Sequence, residues 1–193
     1  MAKDKLSLAA WIEESEKKGI SLRETLIANN AEAMGVEPQV LLDEMADMLK
    51  VMRASIDYGL TGVRSRSKLT GGSAKKLFEA KQSNNYANLL GSTVSDAVIF
   101  SLAVAEANAA MGRIVAAPTA GASGVLPGML FSLQKNYALS EKDLAAGLVV
   151  AGSIGLVIAN RSSLSGAMGG CQAETGSAAA MAAGAAVDML GGT

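Results

Sequence analysis

The 193-residue chain has no histidine and only one cysteine, Cys171. Without histidine, a catalytic base must be a carboxylate, a lysine, a thiolate or a hydroxyl, or must be lent by another chain. A lone thiol closes no internal disulfide, which argues against an oxidising, secreted setting. Charge of one sign is missing too: 17 Lys and Arg face 18 Asp and Glu, for a net charge of −1. No single-signed field draws in nucleic acid or anionic lipid, so no nucleic-acid partner is expected. Met1 is followed by the charged "AKDK" and not by an apolar leader core, and a cytoplasmic location is expected. Long hydrophobic runs are also scarce. Leu144 to Ala159 is an apolar, uncharged stretch ahead of Arg161, shorter than the roughly 20 residues that span a bilayer. The polar "NRSS" at 160–163 follows it, so a buried core helix is expected and no membrane partner.

Half of the residues are hydrophobic, enough to bury a core without disulfides or a structural metal, and one compact domain over 1–193 is the default. Composition shifts along it. Residues 3 to 81 are dense in charge, whereas after Arg161 only Glu174 and Asp188 are charged. The spacing predicts amphipathic helices over 1–58 and a more interior, motif-bearing core over 59–193.

"LSLAAWIEESEKK" sets Leu8, Trp11 and Ile12 at helical spacing and ends at Gly19, a good C-cap. A second helix opens with a capping box, Ser21 to Glu24, and closes at Gly35; a third begins near Pro38 and runs to Gly59. "GLTGVRSRSKLTGGSAKK" lacks periodicity and reads as a loop. "STVSDAVIFSLAVAEANAAM" reads as a helix with Thr93 and Asp96 as its capping box, ending at Gly112. "RIVAAP" reads as an extended entry to a helix that starts near Ser123. Ser140 and Asp143 cap the buried helix, and an alanine-rich helix runs from about Ala173 to Met189. No stretch alternates as a half-buried strand does, so the class is all-α, with Gly- and Ala-rich helices that approach one another closely.

Three places could carry chemistry. In "APTAGASG", Ala117 to Gly124, glycines free the backbone, the Thr119 and Ser123 hydroxyls can donate, and a helix start beside Gly121 favours an anion such as a substrate carboxylate. The competing reading is a glycine-rich connector with Ser123 as a plain N-cap. The basic loop Arg64, Arg66, Lys68 before Gly71 and Gly72 could hold a carboxylate or phosphate, or simply be solvated. In "GGCQAE", a thiol after two glycines and before an alanine-rich helix would lie at a helix start, where the dipole favours the thiolate that a metal or an electrophile needs; equally, a free cysteine is often a small buried hydrophobe. No phosphate cup stands beside a lysine in a strand–turn–helix setting, so a pyridoxal-phosphate enzyme is not expected.

"EANAAMGRIVAAPTAGASGVLPGML" together with "GGCQAETGSAAAMAA" closely resembles the α chain or α domain of bacterial iron–sulfur L-serine dehydratases, and "SRSKLTGG" fits more loosely. The likeness runs from about Tyr58 to the end. It implies a largely helical domain acting on a small amino acid in amino-acid degradation and gluconeogenesis: L-serine is converted to pyruvate and ammonia with an oxygen-sensitive 4Fe-4S cluster. It implies further that Cys171 is one of three thiolate ligands, that an open iron is the Lewis acid, and that a β chain or β domain completes an oligomeric enzyme. On this reading Thr119, Gly121, Ser123 and Lys68 bind the substrate. The resemblance also carries a departure. Two further cluster cysteines are expected beyond Thr193, and the histidine-containing β domain or separate β chain is missing as well, so the sequence reads as truncated at its C-terminus and, by itself, as inactive and without a cluster. A cysteine desulfidase relative and a non-catalytic helical assembly subunit are the alternatives.

Overall fold

The structure is a computed structural model that describes residues 6–83 and 90–192; the amino-terminal "MAKDK" and Thr193 lie outside them. The described residues form eight helices and no strand, so the class is all-α as the sequence pattern predicts: α1 (Leu8–Lys18), α2 (Leu22–Met34), α3 (Pro38–Leu60), α4 (Ser73–Gln82), α5 (Gly91–Ala109), α6 (Val125–Tyr137), α7 (Glu141–Arg161) and α8 (Gly166–Met189). They gather in two compact units, one made of the chain up to Asp47 and from Ser140 onward, the other of Met48–Leu139.

In the first unit the local signals determine the helix ends. Ser21 accepts from the Glu24 N–H while the Glu24 carboxylate accepts from the Ser21 N–H, and Ser140 and Asp143 form the same box at α7. Gly19 and Gly35 close α1 and α2 in the left-handed region, at φ 65 and 68°. Trp11, Leu26 and Val150 form one buried cluster and Ala31, Leu41 and Val149 another. Val149 and Val150 lie on α7, whose residues Leu144 to Ala151 are all buried. By length and composition α7 could cross a membrane, but more than half of its apolar window is buried within the chain. Glycines let α7 and α8 close up: a Cβ on Gly147 would strike Met189, and one on Gly184 would strike Ile154.

In the second unit α5 is central. Ile99, Ala103 and Val104 on α5 and Leu126 and Leu130 on α6 are at most 1% exposed. A Cβ on Gly59 of α3 would run into the Ala103 carbonyl, and one on Gly124 or Gly128 into Ser101. Asp96, fully buried, accepts from Lys135 of α6 at 3.0 Å and pairs with Lys81 of α4 at 2.7 Å. This corrects the predicted capping box: α5 starts at Gly91 after Leu90, with no side-chain cap, and ends at Ala109 rather than at Gly112. The predicted loop ends sooner than expected as well, because Ser73 to Lys76 open α4.

Candidate functional site

The basic loop is a tight turn built on backbone geometry. The Ser65 N–H donates to the Thr70 carbonyl and the Lys68 N–H to the Ser65 carbonyl, both at 2.8 Å, and Arg64 and Gly71 form an antiparallel bridge. Gly71, at φ 126°, brings the two arms so close that a Cβ there would lie 2.6 Å from the Arg64 Cα. Arg64, Arg66 and Lys68 are exposed, with Lys68 itself in the left-handed region at φ 60°.

The 117–124 segment folds on itself after a cis Ala117–Pro118 peptide. Thr119 Oγ1 accepts the Ala122 N–H at 3.3 Å, the Ser123 N–H donates to the Ala120 carbonyl and the Val125 N–H to the Ala122 carbonyl. The helix begins at Val125, two residues past Ser123 and close to where the sequence puts it; Gly124 is its N-cap and no side chain bonds there, so Ser123 is not the N-cap. Its hydroxyl is instead buried, at 1% exposure, without a hydrogen-bond partner among the described residues. With those N–H groups spent inside the turn, and none on Pro127, a carboxylate here would rest on side chains more than on a row of helix donors.

Cys171 lies in the first unit, whereas the two loops belong to the second. Gly170 interrupts α8 at φ 79° and ψ 167°, so Cys171 is the first residue of the long alanine-rich segment, as the sequence suggests. Its thiol is exposed, against the buried-hydrophobe reading. Ser165 caps the short turn before it by accepting the Ala167 N–H at 3.1 Å.

Sequence reasoning missed the end of α5. Glu106 is 1% exposed, and its carboxylate accepts the N–H of Gly72 at 2.9 Å and of Ser73 at 2.8 Å. Asn108 donates to the Ala120 carbonyl at 3.0 Å. The available signal was Glu106 itself, the only charge between Asp96 and Arg113. A separate open cleft of about 410 Å³ is lined by Lys50, Val51, Ala54, Tyr58, Gly112 and Arg113, and by none of the predicted site residues.

As a metal centre the donor set is one thiolate. No group of three or more His, Cys, Asp or Glu side chains gathers among the described residues. A 4Fe-4S cluster is held by about four ligands, mostly cysteine thiolates, so the residues of this chain do not by themselves fit one.

The arrangement is that of a helical, motif-bearing chain with one exposed thiol at a helix break, and the comparisons agree with it. The family model described as "Serine dehydratase alpha chain" matches residues 17–193. The chain is 43% identical over 182 residues to the probable L-serine dehydratase, alpha chain, of Bacillus subtilis (strain 168), which covers 94% of this chain and 60% of that protein. It is 34% identical over 183 residues to the L-serine dehydratase, alpha chain, of Peptoniphilus asaccharolyticus, covering 94% and 62%. With the L-serine dehydratase of Streptomyces coelicolor it shares 33% identity over 184 residues, 93% of this chain and 39% of that one. The chain thus belongs to the serine dehydratase alpha chain family, and it spans about three fifths of the length of the first two relatives.

Proposed function

We propose that the chain is the α part of an enzyme that eliminates water from L-serine. The observation that carries this reading is family membership over residues 17–193, which takes in both loops and Cys171. In the reaction a base takes the Cα proton, the freed electron pair forms the Cα–Cβ double bond, and the hydroxyl leaves Cβ. The aminoacrylate tautomerises to an imine, and water then releases ammonia and pyruvate.

Within this chain, the exposed Lys68 and the Thr119 and Ser123 hydroxyls, with Gly121 leaving space for close approach, hold the substrate carboxylate. The buried, unpartnered Ser123 hydroxyl supports that assignment, because a buried polar group without a partner costs about 1–3 kcal/mol unless a ligand completes it. Having no histidine, the chain takes no imidazole base from its own residues. A departing hydroxyl needs electrophilic help, which the 4Fe-4S cluster implied by the sequence resemblance would supply in the complete enzyme. Cys171 would supply one thiolate to it, with the other ligands coming from outside this chain. A β chain, cytoplasmic location and oligomeric assembly belong to the same proposal.

The test has two arms. The 193-residue chain by itself should contain no stoichiometric iron and sulfide and form no pyruvate from L-serine. The enzyme assembled anaerobically from the α and β parts should form pyruvate. Sulfide released from L-cysteine in preference to pyruvate from L-serine would reassign the substrate; activity of the chain alone would overturn the division of the site.

A further inference from the structure

The last turn of α5 is bonded to two loops at once. A carboxylate as buried as Glu106 is costly unless its oxygens are satisfied, and here the first turn of α4 satisfies them. Gly72 and Ser73 donate at 2.9 and 2.8 Å, and the Ala74 N–H reaches both oxygens at 3.4 Å. Gly72 sits at φ 84°, a conformation that suits glycine. The α4 N-terminus, which would otherwise attract an anion, is thus filled from within the fold. The bond continues into the basic loop, because Gly71 bridges to Arg64 and the turn to Lys68 closes beyond it. Two residues after Glu106, Asn108 holds the Ala120 carbonyl at the middle of the 117–124 turn. The residues from Arg66 to Thr70 are all exposed and, among the described residues, are held only by bonds within the loop, such as the Thr70 N–H to Ser65 Oγ at 3.2 Å, so its place relative to α5 depends on the anchor at Gly72 and Ser73.

We propose that Glu106 and Asn108 are positioning residues: from the last turn of α5, Glu106 holds the basic loop and Asn108 holds the 117–124 turn, each prearranged for substrate binding. The inference rests on the preceding reading of those two segments. It assigns a second consequence to Glu106: with the α4 terminus occupied, an incoming carboxylate is left to the side chains of the two loops.

Two measurements test it. In the 193-residue chain, Glu106→Gln should speed amide hydrogen exchange at 72–74 and across 64–71, and Asn108→Ala should do so across 119–123. Exchange confined to the directly bonded amides, or unchanged, would overturn the positioning role whatever the enzyme does. In the enzyme assembled with its β part, both variants should raise KM for L-serine on the order of tenfold or more with a smaller change in kcat. Asp96→Asn, which weakens the same unit without touching either loop, should leave KM unchanged. Glu106→Asp, which keeps the charge, should recover part of the loss. An unchanged KM in Glu106→Gln and Asn108→Ala, or a KM that rises equally in Asp96→Asn, would overturn the proposal. A wild-type assembly that makes no pyruvate would instead count against the substrate reading, and the exchange result would then decide the positioning role alone.

Discussion

Arg23 and Asp188 lie 165 positions apart in the chain and meet in a two-pronged ion pair, with the Arg23 Nε donating to both carboxylate oxygens at 3.0 and 2.9 Å. The Arg23 guanidinium also donates to the Asp188 carbonyl at 3.2 Å and to Asp143 at 3.3 Å. Hydrogen bonding to Asp188 outweighs burial and raises the arginine above its ordinary pKa, so Arg23 stays charged at every accessible pH. One side chain on α2 therefore ties together the start of α7 and the end of α8.

Replacing Arg23 by alanine should accordingly lower the stability of the chain by about 1.5–3 kcal/mol, the usual worth of hydrogen bonds to a charged group. Urea melts of the wild type and of Arg23→Ala measure it. Arg23→Lys should recover only part of the loss, because an ammonium cannot reproduce the fork.

Asp96 gives a pH dependence. Burial pushes its carboxyl up, but hydrogen bonds from Lys81, Lys135 and Asn136 outweigh that and hold it below its ordinary value. A group whose pKa is lower folded than unfolded contributes stability above the unfolded value of about 3.9, and that contribution is lost as pH falls through the folded one. The chain should then be less stable below about pH 4. Asp96→Asn should be less stable than wild type at pH 7, and the gap should close as pH falls. Melting curves between pH 7 and pH 3 read this, and a constant gap would mean that the Asp96 charge is not what ties α4, α5 and α6.

Glycines in the helices should respond in opposite ways. A Cβ on Gly128 would stand 2.8 Å from the Ala97 carbonyl and collide with Ser101, so Gly128→Ala should cost about 1–3 kcal/mol through overpacking. Gly152 and Gly176 have nothing within 4 Å of the same position. Alanine at either should therefore stabilise its helix by up to about 1 kcal/mol. Thermal melts of the three single variants test the contrast directly.

How far the fold was legible follows from how local its causes are. The boxes at Ser21 and Ser140 and the glycine caps at 19 and 35 act within a few residues, and each appears where the sequence puts it. Thr93 and Asp96 carry the same spacing, yet Asp96 is committed to Lys135, 39 residues away. The start of α4 has no local mark because its cap arrives from Glu106, 33 residues downstream. At the candidate site the glycine-rich turn was legible from composition. The cap was less so: the Thr119–Ala122 bond closes the turn before the helix, and Gly124, not Ser123, stands at its N-cap. The break at Gly170 follows a glycine pair that alanine-rich surroundings make conspicuous, which is why Cys171 was found in its setting.

Cys171 offers the sharpest division between a catalytic and an assembly role. Its side chain is exposed and follows the break at Gly170, so it contributes little to the packing of α8. Cys171→Ala should leave the melting temperature of the isolated chain unchanged, and a thiol reagent should label the native wild-type chain to one equivalent. In the enzyme assembled from α and β parts, the same variant should bind less iron and form pyruvate more than about a hundredfold more slowly, since even ligand-supporting residues at metal sites cost 10–100-fold when removed. Normal assembly with that loss makes the thiol part of the reacting centre. Full activity in Cys171→Ala would leave the chain as a helical partner whose thiol has no part in the chemistry, and the proposed cluster would then have to find all its ligands elsewhere.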